Sequence, residues 1–132
     1  QIGIRGNPRT LDWLKPSYDL GYNVITMDDF RKKGIDEVIN QTIDNIGDNP
    51  VYITFDLDSL DSTVAPAVSN LEPSFQGFTI EEAKSLIQCM KSKNVIGGDV
   101  VCLMPTKDLP NNITSMVAAS IMFEIISVIA CK

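Results

Sequence analysis

The chain has 132 residues, a formal charge of −6 and a pI of about 4.5. This acidity argues against nucleic acid, whose phosphates need a Lys/Arg surface, and against an anionic membrane surface. The absence of histidine excludes Ser-His-Asp and Cys-His catalysis, and any His-ligated zinc, from the chain's own side chains.

The length is that of a single domain over residues 1–132, large enough to bury a core without disulfides. The three cysteines, Cys89, Cys102 and Cys131, are far apart and form no CxxC pair. Reduced thiols in the cytoplasm are the simplest reading, with the mitochondrion as the alternative.

In chain order, residues 1–5 read as a short strand closed by Gly6, Asn7 and Pro8. Residues 11–20 form a weak helix disturbed by Pro16. Trp13 and Tyr18 on it read as packing residues. Residues 23–27 (NVITM) are a second strand, and Asp28 is placed to cap the short helix DDFRKK. Lys15, Arg31, Lys32 and Lys33 read as a solvated face. Val38, Ile39, Ile43 and Ile46 make one helical stripe, closed by Gly47 and Pro50. Residues 51–57 are so apolar that the pattern predicts a strand covered on both faces. Thr79 and Glu82 spell a capping box for the next helix. Residues 95–104 (VIGGDVVCLM) are a fourth strand, and residues 112–130 a helix with apolar residues almost all round, suited to a layer boundary or a subunit interface. Its apolar run, residues 117–130, is shorter than the ~20 residues of a membrane span and carries Glu124. Alternating strands and helices predict a parallel sheet in a three-layer α/β/α arrangement.

The stretch VYITFDLDSLDSTVAP, from Val51 to Pro66, places Asp56, Asp58 and Asp61 where the apolar run ends. On a strand, Asp56 and Asp58 would share a face, at the carboxyl end where open α/β sheets bind ligands. Two neighbouring carboxylates repel, and a hard divalent cation removes the conflict. The alternative is a solvated pair marking a turn. Asp61 either joins the ligands or caps the loop through backbone N–H groups. Asp99 reads as a strand-end carboxylate or as a support for the site, and Arg5 as a partner for one of the acidic residues.

The segment TFDLDSLDSTVAPA resembles the ureohydrolase signature of arginases and agmatinases, S/T-x-D-x-D-x-x-D-P-x-x-x-P. QIGIRG, LGYNVITMDD, NVIGGDVVCLMP and AASIMFEII are similar, in order, to the C-terminal half of an agmatinase-like protein. The resemblance implies the arginase-like α/β/α fold, of which only the C-terminal part is present. It also implies two manganese ions (Mn2+) that activate water, and hydrolysis of a guanidino compound to urea and an amine. Asp56 would bridge the metals and Asp58 would ligate one. Such proteins are commonly homo-oligomers.

Three departures bear on this. The family's His-containing metal segments, Gly-Gly-Asp-His and Asp-Ala-His-x-Asp, lie upstream of Gln1, so the expectation is a chain inactive by itself, with its N-terminal half missing. Cys102 stands where the family has a Glu near the substrate guanidinium, which makes Cys102 the candidate substrate-binding residue, or else a small core residue of its strand. Ser62 replaces a proline, and residues 67–77 (AVSNLEPSFQG) replace the family's small-residue loop. The second reading is therefore a degenerate subunit with a structural or regulatory role.

Overall fold

The computed structural model describes residues 1–73 and 76–131. Along them run β1 (Ile2–Ile4), α1 (Lys15–Asp19), β2 (Ile25–Thr26), α2 (Met27–Lys33), α3 (Ile35–Ile46), β3 (Val51–Asp56), α4 (Ile80–Gln88), β4 (Val95–Val101) and α5 (Ile113–Ala130). β1 pairs in parallel with β2, and β3 in parallel with β4. Each pair is joined through helices, as parallel neighbours require. The strands form two two-stranded sheets. A groove of about 710 Å³, lined by Gln1–Arg5 on one side and 52–56 on the other, runs between them.

Helix starts follow local hydrogen bonding. At α4 the Thr79 hydroxyl accepts from the Glu82 N–H at 3.2 Å, and the Glu82 carboxylate accepts from the Thr79 N–H at 2.9 Å, the expected capping box. At α2 the cap is Thr26 rather than Asp28. Thr26 Oγ1 accepts from the Asp29 N–H at 3.1 Å while the Asp29 carboxylate accepts from the Thr26 N–H. Asp29 therefore plays the reciprocal part usually taken by Glu. Arg31 is exposed beside Lys32 and Lys33, and it also pairs with Glu82 and donates to the Gly77 carbonyl at 2.8 Å, tying α2 to α4. Tyr18 is exposed, and α1 has no buried residue, so its predicted packing role is not seen.

β3 was expected to be covered on both faces, but its exposure alternates. Val51, Ile53 and Phe55 turn inward, while Tyr52, Thr54 and Asp56 lie on the open face. Beside this strand, β4 packs closely on α5: a Cβ on Gly98 of β4 would stand 2.7 Å from Ile125 Cγ2 and 2.7 Å from the carbonyl oxygen of Ile53 on the neighbouring β3. The described residues thus show helices against one face of the β3–β4 pair. The core beneath them includes Leu57, Leu60, Phe78, Ile87, Val95, Ile121 and Ile125.

α5 buries Thr114, Ala118, Ile121, Ile125 and Val128, and leaves Ile113, Met116, Phe123 and Ile126 exposed. With 18 residues it is longer than its apolar run suggested, long and apolar enough by length and composition to cross a membrane. Here it lies along β4 and α4. Glu124 accepts a hydrogen bond from Gln88 at 2.8 Å. Asn112 sits in the left-handed region at the helix start without a side-chain cap. Asp108 caps instead: its carboxylate accepts from the N–H groups of Thr114 and Ser115 at 3.1 and 2.8 Å.

Candidate metal centre

β3 stops at Asp56 because Leu57–Ser59 turn into a 3-10 helix, with Leu57 fully buried. The Asp56 carboxylate accepts from the Asp58 N–H at 2.8 Å, and the Ser59 hydroxyl donates to the Asp56 carbonyl at 2.6 Å. Asp58 is therefore not on the strand, and strand alternation is not what pairs it with Asp56. The tight turn brings its carboxylate back beside Asp56.

β4 ends in register with Asp56, at Val101. Cys102 then takes a φ of 69°, so it lies beyond the strand predicted to contain it. The backbone there is claimed by the loop instead. The Ser69 N–H donates to the Cys102 carbonyl at 3.1 Å, and the Met104 N–H donates to the Ala67 carbonyl at 2.9 Å. This antiparallel contact, centred on Val68 and Leu103, lays residues 67–70 over the turn. Ser69 Oγ and the Asn70 N–H then both donate to Asp58 Oδ2 at 3.0 Å. The outcome is one cluster: carboxylate oxygens of Asp56 and Asp58 and the Cys102 sulfur lie within 4.8 Å of one another.

Burial, foremost, pushes the Asp58 carboxyl above its ordinary pKa, and the nearby Asp56 charge adds to this against the hydrogen bonds from Ser69 and Asn70. Asp58 Oδ1 is buried and has no hydrogen-bond partner. An orphaned buried carboxylate oxygen beside a second carboxylate is the arrangement a divalent cation relieves. The hard oxygen donors suit manganese or magnesium, so Asp56 and Asp58 fit as ligands on one side of a metal centre. The Ser69 hydroxyl beside the Cys102 thiol favours the thiolate. Burial and the adjacent Asp56 and Asp58 outweigh it and hold the pKa above the usual thiol range.

Asp61 is not in the cluster. Its Oδ1 accepts from the Thr63 hydroxyl and N–H at 2.6 and 3.0 Å, and its Oδ2 from the Gly77 N–H at 3.2 Å. Those bonds, the Thr63 hydroxyl first, lower its pKa, so of the two roles considered it fills that of loop cap. Asp99 lies within β4 rather than at its end, and its Oδ2 accepts from the Tyr52 hydroxyl at 3.2 Å. Arg5 donates to the Leu60 carbonyl at 2.9 Å and feels the charges of Glu72, Asp61, Asp58 and Asp56. Ser69 and Asn70, which fix the Asp58 carboxylate, had no signal in the sequence beyond their place in the 67–77 loop. Ser74 and Phe75 of that loop lie outside the described residues. The cluster opens onto the groove between the sheets, which Asp56, Asp58, Ser59, Asn70 and Glu72 help to line.

The model of the arginase family matches residues 1–127. The chain belongs to the arginase family. It is 34% identical over 126 residues to the mitochondrial guanidino acid hydrolase of Homo sapiens, covering 96% of this chain and 35% of that protein. It is 36% identical over 132 residues to an agmatinase of Escherichia coli, covering all of this chain and 40% of that protein. Among solved structures, the proclavaminate amidino hydrolase of Streptomyces clavuligerus superposes with a TM-score of 0.88 at 30% identity, covering 99% of this chain and 42% of that one. The fold is thus the α/β fold of the arginases, and the chain spans 35 to 40% of the length of these curated relatives.

Proposed function

We propose that this arginase-family chain contributes one part of a metal-dependent hydrolase that cleaves a small guanidino compound, agmatine or a guanidino acid, to urea and an amine. The observation that carries this is the convergence of Asp56 and Asp58, with the Asp58 Oδ1 atom buried and unpartnered, in a chain whose relatives are agmatinases and guanidino acid hydrolases.

Asp56 and Asp58 would hold manganese, and Mn2+ when bound would supply Lewis acidity that lowers the pKa of water. Asp56 orders the turn through the Asp58 N–H, while Ser69 and Asn70 fix one Asp58 oxygen. Cys102 stands at the edge of the same cluster, where a substrate guanidinium would meet a thiol in place of the Glu implied by the resemblance. The remaining ligands would come from outside residues 1–132, which contain no histidine. The exposed Met116, Phe123 and Ile126 on α5 suit a homo-oligomer contact. Relatives described as mitochondrial stand beside bacterial agmatinases, which supports either a mitochondrial or a cytoplasmic setting.

The second reading, a degenerate subunit keeping the fold for a structural or regulatory role, is favoured by the neutral Cys102 and by Ser62. Urea release from agmatine and from guanidino acids, measured on the full-length polypeptide containing this chain with added Mn2+, separates the two. Turnover of one class supports the hydrolase. Mn2+ binding without turnover of any guanidino compound supports the degenerate subunit.

A further inference from the structure

We infer that Cys102 is a ligand of the same metal, so that the site is a mixed carboxylate–thiolate centre. This rests on the reading of Asp56 and Asp58 as metal ligands and moves Cys102 from the substrate's side of the site to the metal's.

The geometry brings the sulfur into the donor set. Cys102 leaves β4 with a φ of 69°, and its carbonyl is held by the Ser69 N–H at 3.1 Å. This conformation carries Sγ to within 4.8 Å of both an Asp56 and an Asp58 oxygen; metal–oxygen and metal–sulfur bonds of ~2.0–2.3 Å require the three donors to draw in from that limit by side-chain rotation when a cation binds. The Asp58 Oδ1 atom is buried and has no hydrogen-bond partner, so a cation shared with Cys102 would satisfy it. Ser69 fixes both sides, donating its hydroxyl to Asp58 Oδ2 at 3.0 Å and its N–H to the Cys102 carbonyl. Coordination replaces the S–H proton, which leaves to solvent, by the metal.

The chemical consequence is selectivity. Thiolate is a soft donor, and carboxylate a hard one. Adding a sulfur to Asp56 and Asp58 raises affinity for zinc and cobalt relative to manganese, compared with an all-oxygen set.

The test is a Co2+ titration of the metal-free, full-length polypeptide, followed in the near-ultraviolet where sulfur-to-cobalt charge transfer absorbs. The expected result is a charge-transfer band that saturates with Co2+ and is absent in Cys102→Ser. The preference for Zn2+ over Mn2+, measured by competition, should fall in that variant by about 10-fold or more, since even outer partners of a metal ligand cost that much when lost. Cys102→Gly, which suits the left-handed backbone, repeats the measurement should the serine variant not fold. Co2+ binding that needs Asp58 but shows no band, or the same band in both Cys102 variants, overturns the inference and leaves the Asp56–Asp58 reading standing. No binding of Co2+ or Mn2+ at all overturns both.

Discussion

Asp58 divides its carboxylate between two duties. Oδ2 accepts from Ser69 and Asn70, and Oδ1 is buried with no protein partner. Those donors fix the first oxygen, and the second is the one the proposed metal would take. In the proposed site the Ser69 hydroxyl acts on the metal through Asp58. Replacing it with alanine should weaken Mn2+ binding by about 10- to 100-fold, read by titration calorimetry of the full-length polypeptide, with the circular dichroism spectrum unchanged. Asp61, which lies outside the cluster, should behave differently. Asp61→Asn should lower thermal stability, because the remaining oxygen can keep the Thr63 donors while the amide nitrogen cannot accept from the Gly77 N–H, and should leave Mn2+ affinity as it was.

At the scale of the elements, caps decide where helices begin, and two of them lend themselves to measurement. Thr79→Ala removes one half of the α4 capping box and should cost about 1 kcal/mol in urea denaturation. Asp108 caps α5 from outside the helix. Although partial burial pushes its carboxyl up, hydrogen bonds from Ser115, Thr114 and Leu109 prevail and hold its pKa at about 2. Because the folded pKa lies below the unfolded value of ~3.9, this contribution is fully present above about pH 4. It is lost as the pH falls through about 2. The melting temperature of Asp108→Asn should accordingly lie below that of the parent at neutral pH, with the gap closing between about pH 4 and pH 2. The elements themselves were largely legible in the sequence. Thr79 with Glu82, the stripe of α3 and the apolar β3 each carry a signal within a few residues. What was not legible depends on contacts distant in sequence. Nothing near Asp58 announces Ser69 and Asn70, which arrive because residues 67–69 pair with 102–104. Nothing near Cys102 announces its positive φ, which follows from the same pairing. Asp56 and Asp58 were correctly brought together, but through a turn rather than through strand alternation. The Asp108 cap was missed because it reaches forward across Pro110, Asn111 and Asn112.

Taken whole, the molecule exposes more than its size requires. Its accessible surface is 8019 Å², against about 6,900 Å² for a compact monomer of this mass. Part of the excess is the open face of β3 and the groove between the two sheets, which residues of β1 and of β3 line. Strand edges of this kind accept further strands. In residues 1–132 expressed alone, the amides of β1 and β3 should exchange with deuterium faster than those of α5, whose backbone bonds are internal. In the full-length polypeptide the two strands should become as protected as α5. Equal exchange in both forms would show that nothing further pairs with those edges.

Whether Asp58 holds the cation is read most directly from the metal content of the full-length polypeptide beside its Asp58→Asn variant, both loaded with Mn2+ and freed of excess by gel filtration. Bound manganese is expected in the parent, with a substantial loss of it in the variant and an unchanged fold in both. Equal manganese in the two proteins would contradict this, because the orphaned oxygen of Asp58 would then hold nothing.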